Sequence, residues 1–188
     1  VRSGLGEVLK YGLIRDSGFF WGTVENIDLF HDLGDRENLE SSISRCCEIK
    51  AEVVGRDERD RGIRRILNFG HTIGHGIEAG CGYGKIKHGE AVIWGMIGEI
   101  WISFDRGYLE ENSFRNLIAA LTKLSLPRLP DDLSGADLLD YVRRDKKVRD
   151  GRINSVLLSD PGGKVMVEEV SEREIKDAWE FLLDLEVK

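Results

Sequence analysis

Three of the chain's four histidines stand in one short stretch, "RRILNFGHTIGHGIEAGCGYGKIKHGE", running from Arg64 to Glu90. His71 and His75 are four residues apart, so on a helix they share a face and can jointly hold a metal ion. His88, or a carboxylate distant in sequence, is the natural third ligand. H-x-x-x-H without the metalloprotease glutamate is a common spacing, and histidines merely satisfied in a core or on a surface are the alternative. His31, the fourth, stands alone in a polar turn and is expected to be solvated. Lys10, Lys50, Arg64, Asn68 and the Lys146-Lys147 pair are cations and an amide donor from separate segments. Brought together they would suit an anionic substrate, a phosphate or a carboxylate. Taken singly, each reads as a solvated surface group.

Those residues need elements to hold them. Ser3 is placed to cap a helix that carries Glu7 and Lys10 towards Asp16. Gly18 to Phe30 reads as helix, with Phe19, Phe20 and Trp21 turned inward, and Gly34 to Asn38 as a turn. From Leu39 to Arg59, Ile43, Cys46 or Cys47, Lys50 and Val54 recur at helical spacing, which puts Lys50 on or near an apolar face. A lysine there snorkels to the rim or points at an anion.

Gly62 and Gly70 punctuate a connection before a helix over 72–79, and "GCGYGK" is a turn. Gly89 to Asp105 is the most hydrophobic helix, with Gly95 and Gly98 allowing a neighbour to come close. Glu111 to Leu124 is amphipathic, and Ser134 caps a short helix ending at Arg144. Ile153 to Leu158 and Lys164 to Val167, joined by "DPGG", form the one convincing hairpin. Ser171 and Glu174 make a capping box for the last helix. The expected class is mainly α, a multi-helix domain with one small β-hairpin, occupying residues 1–188.

The bulk numbers narrow the partners. A net charge of -7 argues against nucleic acid or an anionic membrane surface, so an anionic ligand needs a local cationic pocket. A hydrophobic fraction of 41% beside 32% charged residues describes an ordinary globular protein. Three cysteines, two of them adjacent, do not form a disulfide framework; they read as small buried side chains in a reducing, cytoplasmic setting. No signal peptide opens the chain, and the apolar run from Ala91 to Phe104 is interrupted by Glu99 and too short to span a bilayer. Opening on Val1 in helical sequence reads as the interior of a longer protein.

"SGLGEVLKYGLIRD", "IKAEVVGRDERDRGIRRILNFGHTIGHGIEAGCGYGKIKHGEAVIWGM" and "DKKVRDGRINSVLL" resemble, in order and spacing, the signature blocks of 3-dehydroquinate synthase. The similarity is to the helical C-terminal half; the dinucleotide-binding half has no counterpart here, nor has a Gly-rich phosphate loop. This resemblance, not the spacing, implies Glu7, His71 and His88 as metal ligands. It gives His75 to proton transfer and phosphate contact, and Lys10, Lys50, Arg64, Asn68 and one of the lysine pair, with Lys146 favoured, to the substrate. It also implies zinc or cobalt, NAD held mainly by the other half, and a homodimer when full length.

The implied reaction converts DAHP, a seven-carbon phosphorylated keto acid, into 3-dehydroquinate and phosphate in the shikimate pathway. It passes through transient oxidation by NAD, elimination and an intramolecular aldol closure, with the substrate's own phosphate as base. The isolated half is expected to be inactive. Two departures stand out: Gly76 where the family usually has Ala, and the bulky Ile93-Trp94 pair where it has small residues. Rival readings are another sugar-phosphate cyclase of valiolone or deoxyinosose type, an iron-type alcohol dehydrogenase domain, and a non-catalytic helical module.

Overall fold

The most apolar stretch of the chain becomes the central helix of a computed structural model that describes residues 2–30, 36–57, 62–82, 84–144, 152–161 and 164–185. In that helix, α5 (His88–Asp105), Gly89 and every residue from Ala91 to Ile100 are buried. A helix apolar on all sides must be surrounded to exist in water, and this one is. α1 (Arg2–Arg15), α4 (His71–Gly80), α6 (Glu111–Thr122), α8 (Glu172–Asp184) and strand β1 (Ile153–Asp160) all pack on it. α2 (Ser17–Glu25) and α3 (Arg36–Arg56) lie against α1, α7 (Gly135–Arg144) joins α4 to α8, and β1 pairs antiparallel with β2 (Lys164–Val170). The class is mainly helical with a single hairpin among the described residues.

Gly95 faces Gly70: a β-carbon on it would stand 1.9 Å from the Gly70 carbonyl oxygen, so α4 and α5 touch through backbone there. Gly76 has an equally plain cause. A β-carbon there would meet the Val142 and Leu138 side chains of α7 at 2.7 and 2.9 Å. Trp94 is fully buried, and its indole N–H donates to the Pro127 carbonyl at 3.1 Å, which fastens the proline-marked connection to the core.

Several boundaries differ from the sequence expectation. The helix expected over 18–30 ends at Glu25, because the Asn26 backbone and side-chain amides both bond the Gly22 carbonyl. A 3-10 turn, Ile27–Phe30, follows. Phe20 is buried there, whereas Phe19 and Trp21 are only half-buried. α3 begins at Arg36, inside the stretch expected as a turn, and packs on its Ser42-Ile49-Val53 row. Ile43 is 59% exposed and Lys50 is exposed. Apolar residues occupy adjacent rows of this helix, so periodicity did not choose the inward one. The cysteines are all free, but only Cys81 is buried; Cys46 is half-buried and Cys47 exposed. The hairpin strands run to Asp160 and Val170, beyond their expected ends, and the Ser171–Glu174 capping box is present. No helix among the described residues is long and apolar enough to cross a membrane.

Arg106, just past the end of α5, fastens the far side of the domain. It donates to Glu174 at 2.5 and 3.0 Å, to Glu168 at 2.7 Å and to the Glu169 carbonyl at 2.9 Å. The Arg106 hydrogen bond, working against partial burial, pulls the Glu174 carboxyl down from 4.5 to about 2. A carboxyl lowered on folding stabilises the protein above its unfolded pKa and loses that contribution as pH falls through the folded value. At this partly exposed pair solvent screening leaves about 1–2 kcal/mol of that at neutral pH. We therefore expect Arg106→Met to unfold at lower urea at pH 7, and to show a flatter loss of stability than wild type between pH 4.5 and pH 3.

Candidate metal centre

Two helix beginnings and the middle of a third meet at one point. His71 is the first residue of α4, His88 the first of α5, and Glu7 lies one turn beyond Ser3 on α1. Neither histidine helix is capped in the ordinary way by its own N-cap side chain. Glu99, wholly buried on α5, accepts from the Gly70 and Thr72 backbone N–H groups at 2.7 and 3.3 Å, so α5 caps α4. The Ser3 hydroxyl accepts from the Gly89 N–H at 3.2 Å, so α1 caps α5. Ser3 thus lies inside its helix instead of at its N-cap, and it serves the neighbour. Gly70, with φ of 76°, takes the left-handed turn into α4 that an L-residue resists. These cross-links are what bring the three donors together.

The Glu7 carboxylate is 3.3 Å from His71 Nε2 and 3.9 Å from His88 Nε2. The other nitrogen of each ring is already engaged. His71 Nδ1 is 3.0 Å from the Phe69 carbonyl, and His88 Nδ1 is 3.0 Å from a Glu78 carboxylate oxygen. A carbonyl and a carboxylate can only accept, so each Nδ1 donates its proton to that partner, and Nε2 is the nitrogen each ring turns towards Glu7. Three electron-pair donors in one small space are a metal-binding arrangement. Ligand atoms about 2.0–2.1 Å from a tetrahedral ion stand about 3.3 Å apart, and the Glu7–His71 pair already has that separation.

His75, one turn along α4, belongs to the same cluster. Its ring centroid is 5.3 Å from that of His71 and 5.7 Å from that of His88. The ligand atoms of the three histidines lie within 4.8 Å of one another.

Charge at the site is finely placed. Burial pushes the Glu7 carboxyl up, but the His71 hydrogen bond and the Lys10 ammonium pull harder, and it sits at about 2. Burial lowers the His71 pKa against the opposing pull of Glu7. Lys10 is only 3% exposed; its ammonium donates to Glu7 and lies 4.8 Å from the centre of the Tyr11 ring. Burial, with the Glu7 charge nearby, raises the Tyr11 hydroxyl to about 12.

Arg64 and Asn68 occupy a 3-10 turn, Ile63–Asn68, that runs into α4 and packs on α3 and α1. Asp57 fixes the start of that turn by accepting from the Gly62 and Arg64 backbone at 2.7 and 3.2 Å. Lys50 projects from the exposed side of α3. Lys146, Lys147 and His31 lie outside the described residues. Two site residues escaped the sequence reading. Glu78 follows His75 by three positions on the same face of α4, a legible signal. Glu99 was visible as a lone carboxylate in an apolar helix, which has to find partners when buried.

Comparison with known proteins follows the same line. A family profile described as 3-dehydroquinate synthase C-terminal matches residues 4–148. Curated relatives named 3-dehydroquinate synthase include that of Alkaliphilus metalliredigens (strain QYMF), 47% identical over 169 residues, covering 89% of this chain and 46% of the relative. That of Vibrio atlanticus (strain LGP32) is 39% identical over 180 residues, covering 95% and 49%. This chain spans about half the length of these relatives.

Among solved structures, a 2-epi-5-epi-valiolone synthase from Streptomyces hygroscopicus subsp. jinggangensis 5008, with NAD+ and Zn2+ bound, aligns with a TM-score of 0.83 at 25% identity, over 96% of this chain and 50% of that one. A 2-deoxy-scyllo-inosose synthase complexed with carbaglucose-6-phosphate, NAD+ and Co2+ aligns with a TM-score of 0.74 at 23% identity, over 97% and 51%, and speaks for the fold alone.

Proposed function

The chain belongs to the 3-dehydroquinate synthase family, and we propose that it is the metal- and substrate-binding part of an enzyme converting DAHP to 3-dehydroquinate and phosphate. The observation that carries this reading is the meeting of Glu7, His71 and His88 from three helices, with the Nε2 atom of both rings facing the carboxylate. One carboxylate and two imidazoles suit zinc or cobalt and leave open positions for substrate oxygens. Bound there, the ion supplies Lewis acidity and a template for neighbouring substrate hydroxyls.

The remaining work falls to the chain's own side chains. Lys10, Lys50, Arg64, Asn68 and Lys146 bind the phosphate and carboxylate and fix one conformer of the substrate, which makes positioning a large part of the catalysis. His75, a turn from His71 and outside the ligand set, moves protons near the phosphate. The first turns of α4 and α5, which carry the ligands, also favour anions through the positive ends of their helix dipoles.

NAD belongs to a nucleotide-binding half joined to this one, and the whole acts as a homodimer in the cytoplasm. The high fold likeness to a valiolone synthase leaves a neighbouring cyclase as the second reading. Identities of 39–47% to relatives named 3-dehydroquinate synthase favour the first.

The test is phosphate release. We expect no release from DAHP by the 188-residue chain supplied with NAD and zinc, and release once it is joined to a nicotinamide-binding half. In the joined protein, His75→Ala should cost about 100-fold or more in kcat. Turnover by the 188-residue chain alone would contradict the division of labour.

A further inference from the structure

We propose that Glu78 is a positioning residue for the metal centre: through His88 Nδ1 it fixes the ring's tautomer and rotation, so that Nε2 is aimed at the ion before the ion arrives. The inference rests on the metal-site reading above and goes beyond its ligands.

His88 is the most exposed of the two proposed imidazole ligands, its side chain 43% exposed against 12% for His71. His71 is held by a backbone carbonyl two residues away. That anchor cannot be lost without unmaking the turn into α4. His88 follows the glycine-rich connection after α4 and has a side-chain partner instead, the Glu78 carboxylate at 3.0 Å. Its ring could otherwise turn over and present the wrong nitrogen.

Glu78 is well placed to prevent this. It stands on the same face of α4 as His71 and His75, seven and three positions beyond them, and α4 is clamped to α5 by the Glu99 cap and the Gly95–Gly70 contact. Its side chain is 25% exposed. The carboxylate–histidine–ion chain raises the basicity of the ligating nitrogen as well as orienting it, and removing such a partner elsewhere costs about 10–100-fold in metal affinity.

The experiment is zinc affinity of the 188-residue chain by chelator competition, with the absorption spectrum of the cobalt-loaded form as the geometric readout. Wild type is compared with Glu78→Ala, Glu78→Gln and His88→Ala, each checked for wild-type helicity. We expect Glu78→Ala to weaken zinc by about 10–100-fold and to alter the cobalt spectrum. Glu78→Gln keeps an acceptor for the Nδ1 proton and should lose less, and His88→Ala should lose most. Wild-type affinity and spectrum in Glu78→Ala, with His88→Ala impaired, would overturn the role of Glu78 and leave the metal centre standing. Equal losses in Ala and Gln would overturn the orienting role. Wild-type affinity in His88→Ala would instead sink the metal-site reading itself. Should Glu78→Ala fail to fold, Glu78→Leu takes its place: a larger loss than in Glu78→Gln, with an altered cobalt spectrum, supports the role, and wild-type affinity and spectrum contradict it.

Discussion

Gly89→Ala should disable the metal centre from a position that offers no ligand. A β-carbon at Gly89 would stand 1.9 Å from the Ser3 carbonyl oxygen and 2.5 and 2.7 Å from the Ser3 carbonyl carbon and α-carbon. All three obstacles are backbone atoms of α1, so no rotamer change relieves them. The helices must part by more than an ångström, and overpacking of this kind costs about 3 kcal/mol or more. Separation also breaks the Ser3–Gly89 cap and carries Glu7 away from His88, whose atoms are 3.9 Å apart in the intact site.

Gly4→Ala is the matched control, since a β-carbon there meets nothing within 4 Å. It should be neutral, or stabilising by up to about 1 kcal/mol from helix propensity. Urea unfolding and zinc competition on the two variants give the comparison. A Gly89→Ala protein with wild-type midpoint and zinc affinity would show that the close approach of α1 and α5 does not build the site.

Glu99→Ala is the second large effect. The carboxylate is completely buried and accepts from the Gly70 and Thr72 N–H groups. Its removal leaves two donors at the start of α4 without an acceptor, each costing about 1–3 kcal/mol. The cavity adds a further contribution, and a total of about 4 kcal/mol is expected. Glu99→Gln should fall between wild type and Ala: it retains an acceptor oxygen, but its NH2 replaces the second. Glu99→Leu fills most of the volume without an acceptor and should be nearly as damaging as Ala. If Leu instead matched wild type, burial alone would account for this position and the cap would carry no weight.

These two positions show where the sequence was legible. The helices were readable because their apolar periodicity and their punctuation are local: the Ser171–Glu174 box starts α8 and Ser134 caps α7, its hydroxyl accepting from the Asp137 N–H. The histidine stretch was readable because His71 and His75 share a helical face whatever the tertiary fold. What sequence could not supply was partnership between elements. Ser3 looks like an N-cap because its type suits one; only the packing of α1 on α5 turns its hydroxyl to Gly89. Glu99 looks like a blemish in an apolar run until α4 is seen to end on it.

On α3 two adjacent apolar rows compete, and contact with α1 selects Ser42, Ile49 and Val53, leaving Ile43 and Lys50 outside. Spacing favoured His71 with His75. The fold adds Glu7, from a helix distant in sequence, at 3.3 Å from His71.

The competition between those two donor sets is also the most direct test. We would measure zinc and cobalt content of the purified chain for wild type, Glu7→Ala and His75→Ala. The proposed centre predicts near-stoichiometric metal in wild type and in His75→Ala, and its loss in Glu7→Ala. Metal retained without Glu7 but lost without His75 would contradict it and hand the ion to the three histidines.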